Sequence, residues 1–216
     1  MKAVCLAISL TLFWIPVLKA QDALETARRL ENTIKSMRTL RADFEQLYFP
    51  ASVSEPIQEK GELYLQKPDF MRWEYKTPEE KVFLAANGRF EMYLAAEKQV
   101  IRSVIPPEAY ESDIIGILLG SRSVIEAYQI ESVRFPTDAV HVKQIKLTPN
   151  EEGEFSHLLL EVDSRTWLLR RAVIIEWAGN KREYVFRKLR PNATLPGDIF
   201  KLRIPPGCEI IEDRGD

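Results

Sequence analysis

The sequence predicts a mainly β fold: an antiparallel meander that curls, preceded by one helix and interrupted by a second, shorter one. Three observations predict it. Apolar and polar residues alternate at period two over most of the chain after residue 39. Most connections between these runs are too short to hold a crossover helix, so neighbouring strands run antiparallel. Asn87-Gly88 lies between VFLAA and FEMYLAA, the strongest hairpin signal in the chain.

The elements follow in order. From Asp22 to Arg38, Ala23, Leu24, Ala27, Leu30, Ile34 and Met37 recur every three or four residues and form one apolar helical stripe, with Asp22 and Glu25 in the first turn. Leu40, Ala42 and Phe44 then alternate with charged neighbours. Gly61 to Gln66 places Leu63 and Leu65 opposite Tyr64, and Phe70 to Tyr75 sets Met71, Trp73 and Tyr75 against Phe70, Arg72 and Glu74. Beyond the hairpin, Ala95 to Gln99 forms a looser turn into VIRSVI. Pro106-Pro107 and Ser121 bracket ESDIIGILLG, which reads as a short apolar helix from Glu111 to Leu119. Strands are expected at Ala127 to Phe135, Ala139 to Thr148, Ser156 to Asp163, Leu168 to Trp177 and Arg182 to Leu189, with a last short one near Phe200 to Ile204.

Composition bounds what this scaffold does. The 216 residues are 45% apolar and 29% charged with a formal charge of -2, which fits a globular domain and argues against disorder or a basic nucleic-acid groove. Residues 3–18 are uncharged and follow Met1-Lys2, the pattern of a secretory signal over residues 1–20 with weakly defined cleavage after Ala20. That stretch is shorter than the roughly 18 to 20 residues that span a bilayer comfortably. Residues 21–216 are expected to form one domain, and with Cys5 removed Cys208 is expected to be buried and unpaired. No G-x-S-x-G elbow, glycine-rich dinucleotide loop or phosphate-binding loop occurs, and His157-x-x-x-Glu161 falls in a strand without a second histidine. Neither a catalytic site, a metal nor a cofactor is expected.

What stands out is large apolar side chains on both faces of the early strands: Leu63/Tyr64/Leu65, Phe70/Met71/Trp73 and Phe90/Met92/Tyr93/Leu94. Two readings follow. Helices cover one face and complete an ordinary core, or a curved sheet keeps a lined hollow for an apolar ligand under a movable cover of Ile114, Ile115, Leu118 and Leu119. Met71 and Met92 suit either, because unbranched thioethers adapt to irregular neighbours.

Several motifs, in order, resemble one family. They are Phe44-x-Gln46 after a helix, Gly61-Glu-Leu-Tyr-Leu-Gln-Lys-Pro68, Phe70-Met-Arg-Trp-Glu-Tyr75 with Pro78, Asn87-Gly88, Leu118-Leu119-Gly120, Glu161-Val-Asp163, and Phe200-x-x-x-Ile204-Pro-x-Gly207-Cys-Glu-Ile-Ile211. Their order and spacing resemble the periplasmic outer-membrane lipoprotein carriers of the LolA family. The resemblance implies an unclosed antiparallel β-barrel of about eleven strands, with an N-terminal helix and short lid helices over an apolar cavity. It also implies a periplasmic chaperone, expected to be a monomer, that takes lipid-modified proteins from an inner-membrane ABC release complex to an outer-membrane acceptor.

By the same resemblance, Leu63, Leu65, Met71, Trp73, Phe90 and Met92 line the acyl cavity, and Ile114, Ile115, Leu118 and Leu119 form the lid. Lys67 falls where well-known carriers hold the lid with an arginine, and lysine lacks that planar fork. Arg72 is the alternative polar group, although it alternates away from Met71 and Trp73. The family's C-terminal extension is short or absent here. A lipid-sensing or amphiphile-binding module on the same scaffold, similar to RseB-like regulators or mycobacterial lipid carriers, is the other reading of the resemblance.

Overall fold

A computed structural model describes residues 14–53, 55–104, 113–153 and 155–213. Most of the expected signal, Cys5, Pro106-Pro107 and Glu111-Ser112 lie outside the described residues. Among the described residues no helix is long and apolar enough to cross a membrane.

Helix α1 runs from Trp14 to Ser36, starting earlier and ending slightly sooner than the stripe suggested. Pro16 falls in its first turn, where a missing N–H removes no intrahelical bond. At the other end Met37 N–H donates to the Ile34 carbonyl at 3.2 Å, tightening the turn into β1, Thr39–Phe49. Then come β2 (Ile57–Gln66), β3 (Phe70–Thr77), β4 (Lys81–Ala86), β5 (Arg89–Leu94) and β6 (Gln99–Val104). Asn87 and Gly88 have φ of 54° and 73°, the left-handed pair that a two-residue hairpin turn between right-twisted strands requires. The short helices α2 (Asp113–Leu119) and α3 (Val124–Ala127) precede β7 (Tyr128–Ser132), β8 (Val142–Pro149), β9 (Phe155–Asp163), β10 (Leu169–Glu176), β11 (Lys181–Pro191) and β12 (Glu209–Glu212).

The twelve strands among the described residues form one sheet in the order β12-β6-β5-β4-β3-β2-β1-β11-β10-β9-β8-β7. Its end strands do not pair, so the sheet is not closed into a barrel. Neighbours are antiparallel except that β12 runs parallel to β6, the one exception to a mainly antiparallel sheet among the described residues. The strand expected near Phe200 to Ile204 is also corrected. That stretch is turn and coil, because Pro196, Pro205 and Pro206 lack ladder donors and Gly207 turns the chain at φ 83°. The strand foreseen from Ala127 to Phe135 stops at Ser132, and residues 133–135 stay beside β8, where Val133 N–H donates to the Gln144 carbonyl at 3.3 Å. There the Gln144 side chain takes over the ladder's role, accepting from Phe135 N–H at 3.1 Å and donating to its carbonyl at 2.9 Å. Arg171 clamps the same segment, donating to the Pro136 carbonyl at 2.7 Å and to Glu183 at 2.8 Å. Glu161 belongs to this structural cluster through Gln144, at 3.2 Å.

The register shows why both faces of the early strands are apolar. On the inner face Ile101, Met92, Phe83, Trp73 and Leu63 are aligned across β6 to β2, and Phe186, Tyr184, Ala172, Leu160 and Ile145 continue the file through β11 to β8. On the outer face Tyr64, Val82, Leu84 and Val100 are buried apart from the main core cluster. The C-terminal segment crosses there: Phe200 packs on Phe70 with ring centroids 5.4 Å apart, and Arg72 donates to the Ile199 carbonyl at 3.4 Å. Half-buried Cys208 lies on this segment, a free cysteine.

Two outcomes test this account. A Cβ added at Gly61 would sit 1.9 Å from the Glu74 carbonyl oxygen and 2.9 Å from the Phe44 ring, so Gly61→Ala is expected to cost about 2 to 4 kcal/mol in urea unfolding. An unchanged midpoint would contradict the close β2–β3 approach. On the outer face, burial alone would raise the Glu62 pKa, but hydrogen bonds from Lys76, Arg41 and Tyr64 outweigh it and hold the carboxyl at about 2. Its folded pKa lies below its ordinary 4.5, so its stabilisation is complete above that value and is lost as pH falls through about 2. Glu62→Gln should therefore flatten the acid limb of the stability curve, measured as unfolding free energy against pH.

Candidate functional site

The inner face is layered along the strands. At the end near the β2–β3 turn it carries Leu40, Leu65, Met71 and Ala85, then Leu63, Trp73 and Phe83, then Phe44 and Phe186. The aromatic rings form a connected lattice. Phe44 lies 4.9 Å from both Trp73 and Tyr75, and Trp73 lies 5.4 Å from Tyr184 and 6.1 Å from Phe186, in edge-to-face arrangements worth about 0.5 to 1.5 kcal/mol each beyond area burial. The bare Gly61 lets Phe44 occupy its centre. Further along, the face turns polar on β1 to β4, with Gln46, Glu59, the Tyr75 hydroxyl and Lys81. Burial drives the Tyr75 phenol far above its ordinary pKa, with nearby Tyr184 and Glu59 adding to the shift.

Helices cover the apolar end. α1 packs against β7, β8, α2 and α3 with Ala23, Ala27, Leu30 and Ile34 buried. Ile114, Ile117, Leu118 and Leu119 of α2 are buried in the same cluster, and Ile115 packs half-buried against it. Two polar side chains fasten this cover. Lys67, from the β2–β3 turn, donates its ammonium to the Ile34 carbonyl at the end of α1, where a cation also meets the negative end of the helix. A Cβ on Gly120, which follows α2 with φ 72°, would lie 3.1 Å from Lys67 Nζ and 3.4 Å from Ile34, so the C-terminal ends of both helices converge on this lysine. Burial lowers the Lys67 pKa, and Lys35 adds to the shift. The second fastener is Glu31, which accepts from Ser123 Oγ at 3.1 Å and from Ile125 N–H at 3.1 Å. Burial opposes its ionisation, but hydrogen bonds from Lys35, Ile125 and Ser123 lower its pKa overall.

The sequence-predicted residues divide accordingly. Leu63, Leu65, Met71 and Trp73 come together at 6% exposure or less, covered by side chains. Phe90 and Met92 are half-buried at the rim with Phe83 and Ile101. A cleft of ≈ 470 Å³ beside them, lined by Arg89, Phe90, Glu91, Arg102, Ser103, Val104, Glu212 and Asp213, shares Phe90 with the predicted lining. Ile114, Ile115, Leu118 and Leu119 all lie on the covering helix. Lys67 meets the helices, whereas Arg72 does not: it points from the outer face, bonded to Glu74 at 2.9 Å and to the C-terminal segment. Sequence reasoning missed Ile117, whose i,i+3 spacing from Ile114 was available, and Glu31, Phe186 and Tyr184, which only tertiary pairing brings here. Among the described residues no cluster of three or more His, Cys, Asp or Glu side chains is placed to hold a metal ion.

Comparison with known proteins adds the following. The family of outer membrane lipoprotein carrier protein LolA matches residues 35–203. The chain is 29% identical over 188 residues to the outer-membrane lipoprotein carrier protein of Methylococcus capsulatus, covering 86% of this chain and 87% of that protein. It is 22% identical over 200 residues to the carrier of Pseudomonas fluorescens, covering 92% and 94%. In fold it is similar to an uncharacterized conserved protein from Thermus thermophilus, with a TM-score of 0.54, 14% identity and 89% and 100% of the two chains covered. It is also similar to MucB, with a TM-score of 0.51, 14% identity and coverage of 88% and 66%.

Lys67→Met keeps most of the side-chain stem and removes the donor. It is expected to cost about 1 to 2 kcal/mol of stability and to raise hydrogen exchange locally in residues 30–37 and 114–120. Exchange that rises uniformly across the sheet instead would mean that Lys67 does not fasten the helices.

Proposed function

The chain belongs to the LolA family of outer membrane lipoprotein carrier proteins, and from that membership we propose that it shields the acyl chains of lipid-modified proteins and carries them through the periplasm. The observation that carries this reading is the apolar inner face from β6 to β8, whose buried cluster is completed in part by α2, Asp113–Leu119. Leu65, Met71 and Trp73 share one buried cluster with Ile114, Ile117, Leu118 and Leu119 of α2, so a guest enters by displacing α2 from that cluster. Phe83, Phe90, Met92 and Ile101, already half exposed at the rim, are where apolar contact begins.

The chemistry of the cargo supports a carrier. Each methylene withdrawn from water gains roughly 0.8 kcal/mol, so two chains of about fifteen methylenes represent on the order of 24 kcal/mol, and unaided diffusion through water is negligible. A broad apolar face with adaptable Met71 and Met92 shields many chain conformations without a tight mould. The proposed route runs from an inner-membrane ABC release complex to an outer-membrane acceptor, with the carrier monomeric and no cofactor or catalytic step. Recovery of a signalling membrane protein in place of a release complex in a pull-down would favour the lipid-sensing alternative.

The purified protein is expected to bind an N-acylated peptide and not its deacylated form, read by isothermal titration; equal binding of both would sink the carrier reading. Ile115→Glu, at a half-buried position on α2, should weaken acyl binding at least tenfold while the near-ultraviolet dichroism is retained. Loss of that signal would assign Ile115 to the core instead.

A further inference from the structure

The polar end of the inner face has no role yet. Four side chains there form a closed chain: Tyr75 Oη donates to Gln46 Oε1 at 2.7 Å, Gln46 Nε2 donates to Glu59 Oε2 at 3.0 Å, and Lys81 Nζ donates to Glu59 Oε1. Lys81 Nζ also lies 4.4 Å from the Tyr75 ring centroid. Gln46 and Tyr75 are buried, at 8% and 6% exposure. The network lies at the opposite end of these strands from Lys67, directly beyond the aromatic layer of Phe44 and Trp73.

Its members bond chiefly to one another, and the spare capacity of the partly exposed Lys81 ammonium and Glu59 carboxylate is left to water. Towards a hydrocarbon the network is a barrier. A methylene pushed past Phe44 must either break these bonds or strip the remaining water from Glu59 and Lys81, and a buried polar group left unpaired is expensive. Burying the same methylene against Leu63, Leu65 or Met71 carries no such cost. From Leu65 to Glu59 the strand advances six residues, roughly 20 Å at about 3.3 Å each, enough for an extended long-chain acyl group.

We propose that the Gln46–Glu59–Tyr75–Lys81 network is the floor of the acyl site and sets the longest chain that the protein accommodates in full. The inference rests on the carrier reading above and adds a specificity determinant to it. Chains that stop short of the floor gain affinity with each methylene; longer ones leave their excess outside and gain nothing more.

The test is a titration of N-acylated peptides that share one sequence and differ in acyl length from C10 to C20. Affinity of the unmodified protein should climb several-fold per methylene and then reach a plateau within the series. Gln46→Leu with Glu59→Leu, and separately the conservative Tyr75→Phe, should move that plateau to longer chains and raise affinity for C20 relative to C12 at least tenfold for the double variant. A steady rise to C20 in the unmodified protein, which needs no variant to fold, would overturn the floor while leaving the carrier reading intact. So would a plateau that folded variants leave in place. Absence of binding at every length would overturn the carrier reading and the floor with it.

Discussion

Both faces of β2 to β6 must be covered, and the rest of the structure depends on that constraint. An antiparallel sheet ordinarily leaves one face to water. Here Trp73 and Phe83 point to one side while Tyr64 and Leu84 point to the other, and the chain supplies a cover for each. The outer cover is the segment after β11, which crosses Phe70 and Arg72 before adding β12 to the sheet edge. The inner cover is α1 with α2 and α3. Helix α1, the segment after β11 and the mid-chain helices are therefore placed by the same requirement, which also prevents either face from becoming a large exposed apolar patch.

The two covers differ in how they are held. The outer one is continuous with β11 and returns to pair with β6 along Glu209 to Glu212. The inner one includes α2, whose described residues Asp113–Leu119 bury Ile114, Ile117, Leu118 and Leu119 in the shared core cluster, so docking contributes to holding it. Lys67 and Glu31 localise that docking. One sits where the C-terminal ends of α1 and α2 meet, and the other fixes the start of α3. Both contacts join the helices locally and neither belongs to the strand ladder, which is the arrangement a cover needs if it is to separate from its scaffold.

Much of this was legible in the sequence. The three-four stripe from Ala23 to Met37, the alternation of Met71, Trp73 and Tyr75, and Asn87-Gly88 each carry a local signal, and each corresponds to a helix, a strand and a turn in the structure. The long-range partners were not legible, because alternation gives a face and not a neighbour. Nothing in Phe44 or Phe186 separately announces that β1 pairs with β11. Phe200 to Ile204 looked like a strand because its apolar residues alternate, yet the flanking prolines and the need to cover Phe70 place it across a face and not in the ladder. At the site, the apolar residues were readable as a set, whereas nothing local distinguishes Glu31 from other helix charges, and only tertiary pairing brings Ser123 and Ile125 beside it.

A cover made of side chains also bears on how a carrier releases its guest. Uncovering Ile114, Ile117, Leu118 and Leu119 costs about 1.5 to 3 kcal/mol each, or roughly 6 to 12 kcal/mol if all four become exposed. Under the proposed function, two acyl chains worth on the order of 24 kcal/mol outweigh that loss and open the cover. On release the helix returns and recovers its share, which lowers the net cost of giving up the cargo by the same amount. On the same proposal the remainder exceeds what thermal motion supplies on a useful timescale, which favours passage of the acyl chains into another apolar environment without crossing water. Under that proposal the helix-covered state contributes to release, since an empty hollow that filled with water would recover nothing when the guest departed.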